Sequence, residues 1–174
     1  LGHTVIAPQG SLVPLEAAGD FCAQMQGLSL RNVAVKLIDA KGKVLYKDFG
    51  ELLFTHFGVS GPTVLSASAH LKGENCKLLI DLKPALEEGK LNERILRDLD
   101  AYQNRSMENA LTDLLPRSMI PVVLRRLGVD GAMQANSFTK EQRRDLVQLL
   151  KAFCVNMRNL LSAAVSTSAR DRML

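Results

Sequence analysis

The sequence predicts an α+β fold, a small antiparallel β-barrel-like subdomain followed by or carrying a four-helix bundle. Three observations carry that expectation. Up to residue 84, short alternating apolar runs are separated by turn signals. From Ala85 onward the composition shifts to Glu, Lys, Arg, Leu and Asp. In that second stretch apolar residues recur at three- and four-residue spacing, the period of an amphipathic helix. The expected layout is a β-rich unit over residues 1–84, a helical bundle over 85–153, and a return segment over 154–174 with no assigned structure. A chain of 174 residues can bury a proper core as one domain or two small ones.

In the β-rich part, Ser11 to Leu15 reads as a short extended piece, because a residue before proline avoids the helical region. Residues 16–27 are Ala-rich and predict one short helix ending near Gly27. Asn32 to Asp39 alternates as a strand, Ala40 to Lys43 forms a turn, and Val44 to Tyr46 begins the returning strand of a hairpin. Glu51 to Thr55 continues the sheet, Pro62 to Ala69 forms a short helix packed on it, and Lys77 to Leu82 is a further strand ended by Pro84. Short antiparallel strands of this kind suit a small barrel or a curled sheet.

In the helical part, Leu91, Ile95, Leu99 and Tyr102 line one helix face until Asn104-Arg105 breaks it. Ser106 is the expected cap of a second helix through Leu115, ended by Pro116. Ser118 to Leu127 is a third, with Pro121 in its first turn and Gly128 as its stop. Thr139-Lys140-Glu141-Gln142 has the pattern of a capping box opening a fourth helix through Leu146, Leu149, Leu150 and Phe153. The basic pairs Arg125-Arg126 and Arg143-Arg144 read as solvated helix faces, with phosphate contact as the less favoured alternative.

Composition narrows the function classes. Hydrophobic content of 47% is ordinary for a globular protein, and no apolar run reaches the length that spans a bilayer. The N-terminus lacks a basic-then-apolar signal, so the expectation is a cytoplasmic protein with no membrane partner. Cys22, Cys76 and Cys154 are odd in number and far apart, which fits reduced thiols better than a disulfide frame. The net charge of +4 gives a weak attraction to anions. With few aromatics and no basic stripe interleaved with them, stacking-based RNA or single-strand binding has little support, and nucleic acid is an unlikely partner on this reading. His3, His56 and His70 are too scattered for a metal site, and none is expected. The chain begins at Leu1 within sequence that already looks folded, which suggests a segment of a longer protein.

The most informative stretch is Gly50-Glu51-Leu52-Leu53-Phe54-Thr55-His56-Phe57-Gly58-Val59-Ser60-Gly61-Pro62. An apolar run ends in Thr-His, a Gly-x-Ser-Gly turn follows, and a proline starts the next apolar run. The order predicts a strand–loop–helix corner, with proline at a first helical position where its missing N–H costs nothing. Glycines on either side of Ser60 let the backbone approach something closely. Such a corner suits the flat edge of a ligand or cofactor, and it also occurs as a purely structural turn. Ser60 is not a nucleophile by this pattern, since the Gly-x-Ser-x-Gly spacing and an Asp/His pair are both missing.

Three motifs carry a resemblance: Leu1-Gly2-His3-Thr4 with Gly10-Ser11-Leu12-Val13-Pro14-Leu15, then Gly27-Leu28-Ser29-Leu30-Arg31-Asn32-Val33, then Glu51 to Pro62. In that order they resemble the insert, or middle, domain of the bacterial NAD(P)/FAD-dependent oxidoreductase flavoproteins, which include bile-acid dehydro-reductase-like and aminoacetone-oxidase-like members. The likeness is close over residues 1–82 and rests on helix count and length over 85–153. It implies a β-barrel-like, substrate-side subdomain carrying a helical bundle, inserted into an FAD-binding domain. No Gly-x-Gly-x-x-Gly unit follows a strand here, so FAD would be bound mainly by parts of the parent outside this chain, with NAD(P)H a further redox partner. The isolated fragment is expected to hold no cofactor and to be inactive. Its expected partners are the rest of the parent flavoprotein and a small-molecule substrate.

The resemblance puts Thr55, Gly58, Ser60, Gly61 and Pro62 on the side facing flavin or substrate, with His56 as a candidate proton donor or loop anchor. The tail Asn159 to Leu174 lacks the family's Gly-Gly turn and is assigned no function. The alternative is a non-enzymatic binding or interaction module, weakly basic, for nucleic acid or a protein partner.

Overall fold

The computed structural model describes residues 13–73 and 75–158. The first resemblance motif up to Leu12, His3, and the tail from Asn159 lie outside the described residues. What is described is α+β, with six strands in one antiparallel sheet curled into a half-barrel. The strands are β1 (Leu15–Glu16), β2 (Ser29–Ile38), β3 (Val44–Phe54), β4 (Gly58–Ser60), β5 (Lys77–Asp81) and β6 (Phe153–Asn156), laid side by side as β1-β4-β3-β2-β5-β6. The helices are α1 (Phe21–Gln24), α2 (Pro62–Ser68), α3 (Glu88–Ala101), α4 (Met107–Ala110), α5 (Ile120–Leu127) and α6 (Lys140–Lys151), with a 3₁₀ turn at Ala135–Ser137.

The β2–β3 hairpin is the spine of the sheet. Val33, Val35 and Leu37 of β2 point to the buried face beside Leu78 and Ile80 of β5, as period-two alternation demands. The turn between the hairpin strands is closed by Asp39, whose Oδ1 accepts from the Lys41 and Lys43 amides at 2.9 Å each. Register shifts between Leu30 and Val33 and between Leu37 and Ile38 bend β2, with Asn32 at φ 57° within the first. Such bulges give a sheet its curl. The segments expected as Val44–Tyr46 and Glu51–Thr55 form one continuous strand.

Several elements differ from the sequence expectation for identifiable reasons. The helix expected over 16–27 is one turn, because Leu15–Glu16 pairs with β4 and Ala17 bridges to Met157. The second long helix shrinks to α4 followed by turns, and the Ser106 side chain makes no capping bond to the helix backbone. Phe153 is not helical. The chain leaves α6 at Ala152, and Phe153–Asn156 pairs with β5 as the sixth strand. With α4 a single turn and both α3 and α5 packed on α6, the helices do not form four bundle rods.

The capping box at α6 is present as expected. Gln142 N–H donates to Thr139 Oγ1 at 3.1 Å, and Thr139 N–H donates to Gln142 Oε1 at 2.9 Å. Leu91, Ile95 and Leu99 of α3 are buried against Leu146, Val147 and Leu150 of α6 within the same continuous core as the sheet. Lys151 ties that helix to the sheet, with Nζ 2.7 Å from Asp81 Oδ2. Arg125 and Arg126 are both exposed, as expected, and Arg126 also makes contacts of its own. Arg126 lies over the Phe21 and Phe153 rings at 4.4 and 4.1 Å and donates to the Cys154 carbonyl at 2.8 Å. No helix among the described residues is long and apolar enough to cross a membrane.

Candidate functional site

The corner begins where β3 runs out of core. Leu52 and Phe54 are fully buried, whereas His56 and Phe57 stand exposed two residues further on. The turn between β3 and β4 is closed from both sides. Thr55 N–H donates to the Gly58 carbonyl at 2.9 Å, and Gly58 N–H donates to Thr55 Oγ1 at 3.1 Å. β4 then returns beside β3, with Val59 opposite Phe54 and Ser60 opposite Leu53. This short strand was not expected from sequence, where 56–61 reads as loop.

Thr55 is therefore the acceptor that holds the turn. Pro62 starts α2 at its N-terminus after Gly61, and α2 packs along β3 through Thr63, whose hydroxyl donates to the Glu51 carbonyl at 2.8 Å. The two glycines approach the chain's own backbone. A Cβ on Gly58 would lie 2.0 Å from the Leu15 carbonyl oxygen and 2.8 Å from the Ala17 nitrogen. At Gly61, where φ is +97°, it would lie 3.1 Å from both the Glu51 carbonyl oxygen and the Leu53 nitrogen. These close approaches let β1 and β3 pack against β4 and leave no cradle at either glycine for a pyrophosphate.

His56, Phe57 and Ser60 remain. The His56 ring sits edge-on to Phe57, centroids 5.0 Å apart, and makes no hydrogen bond among the described residues. It therefore does not anchor the loop. The Ser60 hydroxyl, half-buried, also has no hydrogen-bond partner among the described residues. The corner thus offers an imidazole beside an aromatic ring at the turn, and a hydroxyl without a hydrogen-bond partner among the described residues on the strand that follows. Phe57 was not singled out from sequence, although its place next to His56 on the outward tip was the available signal.

His70, the remaining described histidine, is stacked on Tyr46 with centroids 4.4 Å apart at the far end of α2, away from the corner. No group of three or more His, Cys, Asp or Glu side chains that could hold a metal is present among the described residues. Clefts of about 270 and 390 Å³ open along α6 and do not include the corner.

The model of the HI0933-like protein barrel and H2TH domain matches residues 9–165 of the chain. A 3-dehydro-bile acid delta(4,6)-reductase from Clostridium scindens is 25% identical over 156 residues, which is 87% of this chain and 38% of the relative. A ribosomal RNA dihydrouridine synthase from Haemophilus influenzae is 29% identical over 151 residues, 86% of this chain and 35% of the relative. The enzyme of the same name from Escherichia coli is 33% identical over 122 residues, 68% of this chain and 28% of the relative. The chain thus spans between about a quarter and two fifths of the length of these relatives.

Proposed function

The chain belongs to the HI0933-like family of FAD-dependent oxidoreductases, matching its barrel and H2TH domain, and from that premise we propose that it is the insert, substrate-side domain of such an enzyme. In this role it covers the reacting ring, excludes water and shapes the substrate cavity. The observation that carries the reading is the surface position of the Thr55–Pro62 corner, with His56, Phe57 and Ser60 unclaimed by the fold.

The flavin, held by the rest of the parent, supplies hydride chemistry when bound. The corner glycines do not form a dinucleotide cradle, since Gly58 is closed by Leu15 and Gly61 by Glu51. Its contribution is at the substrate. Phe57 offers an apolar face, the Ser60 hydroxyl a hydrogen bond, and the His56 imidazole a proton for the atom that gains charge. The relatives' names both describe reduction products or reductase activity at unsaturated carbons, and a parent that saturates a carbon–carbon bond needs such a proton. The two ribosomal RNA dihydrouridine synthases favour a particular form of this reading, in which the parent's substrate is a base in RNA rather than a free small molecule.

The test uses the intact flavoprotein that carries this chain. His56→Ala should lower turnover by about 10²-fold, the size of a general-acid contribution, and Ser60→Ala should lower it less, both with flavin content preserved. Unchanged turnover in both variants removes the corner from the active site. The isolated 174-residue chain should be colourless; a yellow preparation with stoichiometric flavin overturns the insert assignment.

A further inference from the structure

The sheet has a second surface, away from the core, on the stretch of β3 that precedes the corner. On β2, β3 and β5 the residues between the buried ones point outward, and their register is fixed by the buried set. In one outward row Lys47 of β3 stands directly opposite Lys36 of β2, which stands opposite Leu79 of β5. In the adjacent row Phe49 stands opposite Ala34, and Ala34 opposite Asp81. Lys77 of β5 pairs with Ile38 on the same face. Lys36, Lys47 and Lys77 are exposed, and Phe49 is 60% exposed, the highest among the exposed large hydrophobic side chains.

Like charges directly opposite on neighbouring strands repel, and nothing in the packing requires them there, because the buried face alone sets the register. The carboxylates bordering the face do not relieve them. Asp39 accepts from the Lys41 and Lys43 amides, and Asp48 accepts from the Phe49 amide and the Tyr46 hydroxyl. Glu51 accepts from Ser29, and Asp81 is paired with Lys151. Among the described residues Lys36, Lys47 and Lys77 form no ion pair. The face therefore presents three ammonium groups without an ion pair among the described residues, beside one exposed aromatic ring about 7 Å along the strand from Lys47.

We propose that this outward face of β2, β3 and β5, centred on Lys36, Lys47 and Phe49, binds single-stranded RNA. Phosphates would sit over the opposed lysines and one base would stack on Phe49, a combination that suits single strands because every base has a π-face. An acidic protein would satisfy the lysines and leave the ring without a partner of its own. Lys47 and Phe49 lie two residues apart on one side of β3, and strand pairing adds Lys36 directly opposite Lys47. The inference rests on the RNA form of the proposed function and adds a binding surface centred on residues the corner motif does not include.

The test measures fluorescence anisotropy of a labelled single-stranded oligouridine with the intact flavoprotein, across a salt series. Lys36→Glu with Lys47→Glu should weaken binding at least about tenfold and reduce the salt slope by about 1.4, the amount expected for two lost phosphate contacts to a single strand. Phe49→Ser should weaken binding by about tenfold with the slope unchanged. Lys90→Glu with Arg97→Glu, which makes the same charge change on exposed positions of α3, should leave affinity within about twofold. Equal losses in the two charge-reversed pairs, or no loss in the sheet variants, overturn the surface. Competition by polyglutamate as effective as that by unlabelled oligouridine overturns RNA as the ligand. Normal RNA binding by the sheet variants in an enzyme that reduces RNA bases defeats this inference alone. An enzyme that reduces no RNA defeats the RNA form of the proposed function instead.

Discussion

Replacing Gly58 with alanine separates two explanations of the corner motif. The added Cβ would meet the Leu15 carbonyl oxygen at 2.0 Å, the Ala17 nitrogen at 2.8 Å and Glu16 Cα at 3.0 Å. All three are backbone atoms of β1 and the residue after it, so no side-chain rotation relieves the clash and β1 must move off β4. Overpacking of a tight site costs about 1–3 kcal/mol. The displaced edge also loses the Ala17 N–H bond to the Phe57 carbonyl, 2.9 Å long, and weakens the Leu15–Val59 pairing, at a net cost of about 1 kcal/mol for each hydrogen bond. The expected total is about 3–5 kcal/mol, a large part of the roughly 5–15 kcal/mol that holds a typical domain. In urea denaturation the midpoint should fall accordingly, and the melting temperature should drop by roughly 10 °C at about 2–4 °C per kcal/mol for a chain this size. Gly89→Ala is the control, because a Cβ there meets nothing within 4 Å in the first turn of α3. It should be neutral or slightly stabilising. A Gly58→Ala protein within about 1 kcal/mol of the parent would refute the reasoning and return Gly58 to the residues kept clear for a ligand.

Two further outcomes follow from local chemistry. Thr139→Ala removes the hydroxyl half of the capping box at α6 and should cost about 1 kcal/mol in urea denaturation, with no cost meaning that α6 is held by tertiary packing alone. Burial pushes the Cys22 thiol up to about 12, with Arg126 only partly opposing it. The folded state therefore holds that proton more tightly than the unfolded chain, whose thiol titrates near 9.0. Stability from this group is fully present below about pH 9 and is lost as pH rises toward 12. The loss of stability over that window should be shallower in Cys22→Ala, and identical slopes would contradict the burial argument. In the native protein near pH 8 a thiol reagent should label half-exposed Cys154 before buried Cys22 and Cys76.

What the sequence revealed depended on how local the cause was. The β2–β3 hairpin, β5, α3 and α6 were legible because alternation, helical spacing and the Thr139 box lie within a few residues of the structure they produce. β1, β4 and β6 were not, because each is two to four residues long and exists only through pairing with a distant segment. Phe153 illustrates the ambiguity. Its spacing from Leu149 and Leu150 continues a helical stripe, yet Phe153–Asn156 also alternates buried and open residues, and pairing with β5 decides for strand. The ring contacts of exposed Arg126 were hidden for the same reason: Phe21 and Phe153 come from remote parts of the chain.

The corner motif mixes residues needed for folding with residues available for chemistry, and only the coordinates sort them. Leu52, Phe54 and Val59 are core. Gly58 makes room for Leu15, Gly61 for Glu51 and Leu53, and Thr55 closes the turn on the Gly58 amide. Pro62 starts α2. Each of these would be required in this fold whether or not a substrate ever arrived. The side chains of His56, Phe57 and Ser60 are left over, making no hydrogen bond among the described residues, and two of them stand in the open. An exposed imidazole edge-on to an exposed ring on a doubly closed turn gives the fold little stability. On the proposed function, the chemistry of the motif would therefore fall on these three side chains, while the glycines and proline that make the motif easy to see have structural work of their own.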